Sequence, residues 1–491
     1  MRSSIRFLLG DARREIRGID PTLTVLEYLR GGERRCGTKE GCAEGDCGTC
    51  TVVVGRLDGA RIRYQAVNSC ILFLPALDGC QLITVEDLRG PDGALHPVQE
   101  AMVRENASQC GYCTPGFIMS LFALYHERTE PPELDVINDV LAGNLCRCTG
   151  YGPIIAAARR MYETGHGPDR FRADEGATVA ALKALQSEDT LGLTGPDGRR
   201  FYAPASVEAL AELLMARPEA CLVAGATDVA LWVTKAQRRL DPVIYLGRVA
   251  GLDAVVETQE TIEIGATATY SAAASALAEH YPDFGELIRR IGSVPIRNVG
   301  TIGGNIANAS PVGDTLPPLI AAGAGLTLRR GDARRTIPLE DFFIADGKQD
   351  RRPGEFVESI TVPKPAPEAR FRCYKISKRF DQDIAAVCGA FHIVPGSGAA
   401  AAARIAYGGM AATPKRARHA EAEIAGRPWT LPPVEAAMAA LEKDFMPIDD
   451  MRASKGYRMR VAQNLLMKLF VETTDPAAQT RLVGDRSLAH V

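Results

Sequence analysis

Ten of the thirteen cysteines fall in the first 150 residues, and eight of those ten form two patterned sets. The first is Gly41-Cys42-Ala43-Glu44-Gly45-Asp46-Cys47-Gly48-Thr49-Cys50 with Cys70 beyond it, a C-x4-C-x2-C…C spacing. That is the ligand pattern of a plant-type [2Fe–2S] cluster. A loop around such a cluster must turn sharply and aim amide N–H groups at anionic sulfurs, which Gly41, Gly45 and Gly48 permit. Zinc is the alternative, but structural zinc usually takes two close pairs of ligands, not three in one loop and one remote.

The second set is a pair of similar motifs, Cys110-Gly111-Tyr112-Cys113-Thr114-Pro115-Gly116 and Cys146-Arg147-Cys148-Thr149-Gly150-Tyr151-Gly152-Pro153. Each has two close cysteines, a threonine, and a proline placed to open a helix. Helix N-termini carry unsatisfied N–H groups and partial positive charge, which favour thiolates and an anionic cluster. Two such ends facing each other would hold four thiolates around a second cluster or a zinc ion. Cys36, Cys80, Cys221, Cys373 and Cys388 fit neither pattern and read as plain thiols.

Two glycine-containing segments suit a phosphate less specifically. Leu222, Val223, Ala224, Gly225, Ala226, Thr227, Asp228 and Val229 follow an expected strand; Thr301, Ile302, Gly303, Gly304 and Asn305 follow a polar stretch. A glycine turn after an apolar strand is most often only a turn, and neither segment has the G-x-G-x-x-G spacing of a Rossmann loop.

The elements that must position these residues follow from periodicity. Residues 5–19 read as a hairpin turning at Gly10-Asp11, 24–29 as a short helix closed by Gly31-Gly32, and 51–54 and 83–85 as strands before a turn at 90–93. Four helices are expected over 97–104, 115–126, 133–141 and 153–161. Residues 166–200 read as a linker with one weak helical patch at 179–185, and from Tyr202 strands and helices alternate: a helix over 206–216 and strands over 220–224, 242–246 and 261–264. A third unit begins with a strand over 371–377 and ends with a helix over 451–471; the Ala run at 399–403 reads as a turn or helix start. At about 150 residues per domain, 491 residues suggest roughly three domains, or four once the front splits into two cysteine units.

A net charge of −3, from 57 Lys+Arg against 60 Asp+Glu, removes the electrostatic case for nucleic acid. No apolar run approaches the length of a membrane span, and the N-terminal run is too short for a secretory signal. These features place the chain in the cytoplasm, where thiols stay reduced and so many cysteines need another purpose.

CAEGDCGTC with Cys70, SQCGYCTPG and LAGNLCRCTGY together resemble the iron–sulfur region of the molybdenum hydroxylases, the xanthine dehydrogenase and aldehyde oxidase family. The resemblance implies an α+β multidomain fold. Its parts are a β-grasp [2Fe–2S] ferredoxin-like domain (1–90), a four-helix [2Fe–2S] domain (91–165), an FAD-binding α+β domain (201–368) and a C-terminal α/β flavoprotein domain (369–491). It assigns one cluster to Cys42, Cys47, Cys50 and Cys70 and the other to Cys110, Cys113, Cys146 and Cys148. FAD contacts carry over to the two glycine segments and to Asp314 in NASPVGD. The chain departs from relatives at Ile291, where an aromatic residue is common, and at Ala386, where animal relatives have lysine. Lys378, Arg379, Asp381 and Asp383 read either as a solvated turn or as a flavin-side group.

The implied role is the small subunit of a xanthine-dehydrogenase-type enzyme, a reading that DMRASKGYRM also favours. Electrons would pass from a molybdenum cofactor on a separate large subunit through the helical-domain cluster, then the ferredoxin-like cluster, to FAD and NAD+. The resemblance also implies a dimer of heterodimers. Another purine, an N-heterocycle or an aldehyde remains an alternative substrate, and a zinc-stabilised interaction module an alternative class.

Overall fold

The computed structural model describes residues 1–90, 92–163, 169–395, 400–475, 477–478 and 480–481. Pro91 of the expected turn, residues 164–168 before and within the expected linker, and Ala399 of the Ala run lie outside the described residues. The chain forms two compact units, Met1–Ala250 with Gly292–Gly300, and Gly251–Ile291 with Thr301–Val491. The stretch 201–368, expected as one domain, is thus shared between them.

In the first unit the hairpin forms as Ile5–Leu9 and Ala12–Ile16, with Gly10 at φ 57° in the turn. Ile5–Leu9 pairs in parallel with Gln81–Ile83, which pairs antiparallel with Thr51–Asp58, which pairs antiparallel with Arg61–Asn68. The last strand was not read from the sequence although Arg61, Ile62, Arg63 and Tyr64 alternate, because residues 66–68 are buried throughout and break the period of two. Val52, Val53 and Val54 are all buried because both faces of this sheet are covered. Val52 and Val54 join Phe7, Leu26 and Leu29 on one side, whereas Val53 joins Phe117 and Phe122 on the other. Leu26 belongs to the short helix Val25–Glu27, capped reciprocally by Thr24 and Glu27 and continued by a wider π turn through Gly32.

The second cover is the helical part, Pro97–Arg104, Thr114–Glu127, Leu134–Leu141 and Gly152–Arg160, within a residue of expectation. The expectation of a linker over 166–200 is corrected. Helices Arg170–Ala173 and Glu175–Leu185 and strand Leu191–Thr194 lie there, and Val179, Leu182 and Leu185 bury a stripe against Leu8 and Ile62. Short elements that bury their apolar face on a neighbouring sheet leave a polar, glycine-rich sequence between them, which is what a linker also shows. Leu191–Thr194 continues a second sheet through Arg200–Ala203, Val243–Tyr245 and Cys221–Val223.

The second unit is built on an antiparallel sheet in the order Val255–Glu257, Thr261–Gly265, Phe356–Pro363, Gly325–Arg330, Ala333–Pro338. Helices Tyr270–His280, Pro282–Arg289, Ile302–Asn308 and Leu316–Ala322 pack into the same core. Arg370–Ile376, Val387–Pro395, Ala400–Gly408 and Lys415–Arg416 form a further antiparallel sheet, followed by helices Arg418–Ile424, Leu431–Asp444 and Lys455–Thr474. Among the described residues no helix is long and apolar enough to cross a membrane.

Candidate metal centres and flavin segments

The loop from Gly41 to Cys50 brings three amides to one sulfur. Cys42 Sγ accepts from Glu44 N at 3.5 Å, Asp46 N at 3.4 Å and Cys47 N at 3.4 Å. Positive φ at Ala43 (55°) and Gly45 (81°) turns those amides inward. Cys50 Sγ and Cys70 Sγ are buried and 3.2 Å apart, and Cys47 Sγ is 3.3 Å from Thr49 Oγ1. Hydrogen bonds with Cys47, then Cys70, with help from the amides, hold Cys42 far below the ordinary thiol range. The same contacts push Cys47 and Cys70 up, while Cys70 pulls Cys50 down. Two of the four thiols ionise only at the expense of the other two, so the set suits a cationic group that would let all four ionise together.

The second set also gathers four sulfurs, one pair from each motif. Cys113 faces Cys146, and Cys148 faces Cys110. Burial and then Cys146 push Cys113 up to about 12. Burial works against ionisation of Cys146, but Thr149 outweighs it, donating from Oγ1 at 3.2 Å and from N at 3.5 Å, and the net shift is downward. Cys113 caps helix Thr114–Glu127 and Tyr151, at φ 69°, caps Gly152–Arg160, each with proline in its first turn. Both expected helix starts are therefore present, and Cys110 and Cys148 are exposed where Cys50 and Cys70 are buried.

The two loops touch. Leu145 N donates to Cys47 O at 3.0 Å, Asn144 Nδ2 donates to Gly48 O at 3.1 Å, and Tyr112 Oη donates to Glu40 O. A Cβ on Gly116 would lie 2.2 Å from Gly48 O, and one on Gly48 2.1 Å from Gly143 O. The glycines of the motifs therefore serve backbone-to-backbone approach as well as turning.

The flavin segments differ from each other. Residues 222–229, in the first unit, run from strand Cys221–Val223 into helix Val229–Thr234, with Ala226 at φ 60°. Gly225 has no room for a Cβ, which would meet Val299 O at 1.8 Å. The amides of Gly225, Ala226, Thr227 and Asp228 donate no hydrogen bond among the described residues, leaving a run of N–H groups of the kind that cradles phosphate. Beyond this loop, Thr234 Oγ1 donates to Ala43 O at 3.0 Å and Lys235 Nζ to Cys42 O.

In the second unit the amides of residues 302–305 are already used. Ile302 N donates to Ala268 O, Gly303 N to Ala266 O, Gly304 N to Thr301 Oγ1 and Asn305 N to Thr301 O. Asn305 Oδ1 is taken by Thr315 Oγ1 at 2.5 Å. What Gly303 supplies is absence of bulk, its Cβ position lying 2.4 Å from Ala266 O. Asp314 is buried against Lys375, Oδ2 to Nζ at 2.6 Å, with Oδ1 lacking a partner among the described residues. Burial pushes Asp314 up against the pull of Lys375. Lys375, also bonded to Arg290 O at 2.9 Å, went unnoticed in the sequence; a lysine among buried Cys373 and Tyr374 was the available signal.

Other candidates resolve as supports. Arg379 and Asp383 close an exposed turn, and Lys378 Nζ donates to Met451 O at 2.8 Å. Ala386 is buried with its carbonyl on Arg458, whose other nitrogen meets both Asp450 oxygens at 2.7 Å, so within the mostly exposed DMRASKGYRM the buried Arg458 ties the segment to Ala386. Ile291 packs against the second unit's core. An unexpected buried group joins His96 and His126 to Asp169, each Nε2 lying 3.4 and 3.3 Å from Oδ2. His96 Nδ1 accepts from Val98 N at 3.3 Å, which leaves its Nε2 facing the carboxylate.

Four family profiles match in order along the chain: "2Fe-2S iron-sulfur cluster binding domain" over residues 9–74, "[2Fe-2S] binding domain" over 84–159, "FAD binding domain in molybdopterin dehydrogenase" over 197–365 and "CO dehydrogenase flavoprotein C-terminal domain" over 372–473. Together they make up the molybdenum hydroxylase small-subunit architecture. The chain is 32% identical to a xanthine dehydrogenase of Emericella nidulans over 90% of its own length and 36% of that protein. It is 30% identical to a xanthine dehydrogenase/oxidase of Rattus norvegicus over 88% and 36%. The chain thus spans about a third of the length of these curated relatives. Among solved structures, a chain of carbon monoxide dehydrogenase from Hydrogenophaga pseudoflava aligns with a TM-score of 0.52 and 27% identity, covering 55% of this chain and 94% of that one. The multidomain α+β class expected from the motifs holds, with two [2Fe–2S] domains and an FAD-binding domain present.

Proposed function

We propose that this chain is the electron-carrying subunit of an NAD-dependent xanthine dehydrogenase. In this reading Cys42, Cys47, Cys50 and Cys70 hold one [2Fe–2S] cluster and Cys110, Cys113, Cys146 and Cys148 the other. The observation that carries it is two four-thiol sets in one compact unit, their loops joined by the Leu145–Cys47 hydrogen bond. When bound, the clusters supply one-electron carriers, and FAD supplies the exchange between single electrons and the hydride that NAD+ accepts.

The chain's own residues do the rest. The amides of Glu44, Asp46 and Cys47 stabilise the Cys42 thiolate, and Thr149 stabilises that of Cys146. The open amides of residues 225–228 would receive the flavin pyrophosphate, and residues 301–305 go with this reading as further contacts to FAD. Asp314, fixed by Lys375, offers its second carboxylate oxygen as a hydrogen-bond acceptor for it. The molybdenum cofactor and the purine site belong to a partner chain, in a cytoplasmic dimer of heterodimers. Domain limits at 1–90, 91–165, 201–368 and 369–491 go with this reading.

The visible spectrum and metal content of the purified chain test it. Overlapping flavin and iron–sulfur absorption with iron in place of zinc is expected, and a colourless zinc protein would overturn the redox reading. For the substrate, NADH formation by the complete complex is expected with xanthine; turnover only with an aldehyde or another heterocycle would remove the substrate and retain the electron path.

A further inference from the structure

We propose that Asn144 is a positioning residue that locks the two cysteine loops in register and thereby sets the electronic contact between the groups they hold; this rests on the two-cluster reading above. Asn144 is 2% exposed and reaches three partners. Its Nδ2 donates to Gly48 O at 3.1 Å and lies 3.4 Å from Thr51 Oγ1, and its Oδ1 accepts from Ser120 Oγ at 2.7 Å. Gly48 O can only accept, so the orientation of the carboxamide follows from the network.

The consequence lies in the neighbouring residues. Asn144 and Leu145 are consecutive, and so are Cys47 and Gly48. The side chain of one and the amide of the next clamp two consecutive carbonyls of the first loop. Leu145 precedes Cys146 directly. From Cys146 to Cys47 the path therefore runs through covalent bonds and one hydrogen bond of 3.0 Å. Electron tunnelling weakens steeply with every gap between bonded atoms, so a small slip of one loop against the other would replace that bond with empty space. Ser120 projects from helix Thr114–Glu127, whose N-cap is Cys113, so the same carboxamide also refers the first loop to the other half of the second set. At Gly48 and Gly116 the backbones of the two sets come too close for a side chain, so the arrangement that the latch holds is a tight one.

The test uses the full chain carrying both clusters. Asn144→Asp keeps the shape and the acceptor for Ser120 but sets an oxygen against Gly48 O; Asn144→Ala removes both contacts. After chemical reduction, electron paramagnetic resonance reads the magnetic interaction between the two reduced clusters, and rapid mixing reads how fast an electron equilibrates between them. Both variants are expected to retain two cluster signals and full iron, with the interaction diminished and the equilibration slowed, more in Asn144→Asp than in the milder Ser120→Ala. Unchanged interaction and rate in variants with both clusters intact would overturn the latch. Should either Asn144 variant lose a cluster, Ser120→Ala decides, an unaltered interaction and rate in it counting against the proposal. Absence of iron from the unaltered chain would overturn the two-cluster reading, and the latch with it.

Discussion

The two cysteine sets present the same number of sulfurs on opposite kinds of support. The first is wrapped by a loop whose amides point at Cys42 and is closed from below by buried Cys50 and Cys70. The second lies between two helix starts, and Cys110 and Cys148 face solvent. Identical ligand chemistry is thus built either into a sheet core or onto the ends of a bundle. The difference teaches which set depends on packing and which on capping.

Replacing single cysteines gives the largest contrast. Cys70→Ser and Cys148→Ser are each expected to cost half of the bound iron, but only Cys70→Ser should also lower the thermal midpoint markedly, because it alters the buried core. Equal shifts in midpoint by calorimetry would erase the distinction. Next, Gly116→Ala forces a methyl to 2.2 Å from Gly48 O and should cost about 3 kcal/mol in denaturant unfolding. Gly152→Ala, with nothing within 4 Å, should stay within about 0.5 kcal/mol.

A pH series sharpens the helical side. Burial depresses His126 to about 3, so between its unfolded value near 6.5 and about 3 the unfolded chain binds a proton that the folded chain refuses. Stability therefore falls with acid across that window, by at most about 1.4 kcal/mol per pH unit. Burial opposes ionisation of Asp169, but His96 and His126 outweigh it and hold it at about 2, so its contribution is lost only below its ordinary range. His126→Leu should flatten the slope between pH 6.5 and 3 in urea unfolding; an unchanged slope would remove His126 as its source. The smallest effect is expected from Thr149→Val, which deletes the hydroxyl on Cys146 and should lower the reduction potential of the second cluster by on the order of 20 mV. Thr49→Val should act likewise on the first, through Cys47.

Much of this was legible in the residues. The spacing C-x4-C-x2-C and the paired Cys-Thr-Pro motifs state local chemistry, since ligand geometry within a loop or at a helix start depends on neighbours in the chain. The helices over 97–104 and 114–127 were legible for the same reason, being capped and opened by residues adjacent in sequence. Strand Arg61–Asn68 was not, and within 166–200 only the helical patch at 179–185 was, because the burial of these elements comes from surfaces remote in sequence.

The flavin segments divide similarly. Gly225 and Gly303 announce turns, but whether their amides are free is not written locally: those of 225–228 are open, whereas Ile302 N and Gly303 N are taken by Ala268 and Ala266, far from them in the chain, and only Gly304 N and Asn305 N by neighbouring Thr301. Likewise Asp314 stands out only as an acid after a turn until Lys375 is found against it.

The sequence by itself determined the kind of chemistry: eight cysteines at spacings that local backbone geometry turns into two four-sulfur sets, and two glycine segments suited to a nucleotide. Tertiary structure decided how those parts communicate. Asn144, an ordinary polar residue in a motif of cysteines, became the link between loops only when folding laid residues 47–48 against 144–145, because a hydrogen bond is fixed by distance in space and the chain records only distance along itself.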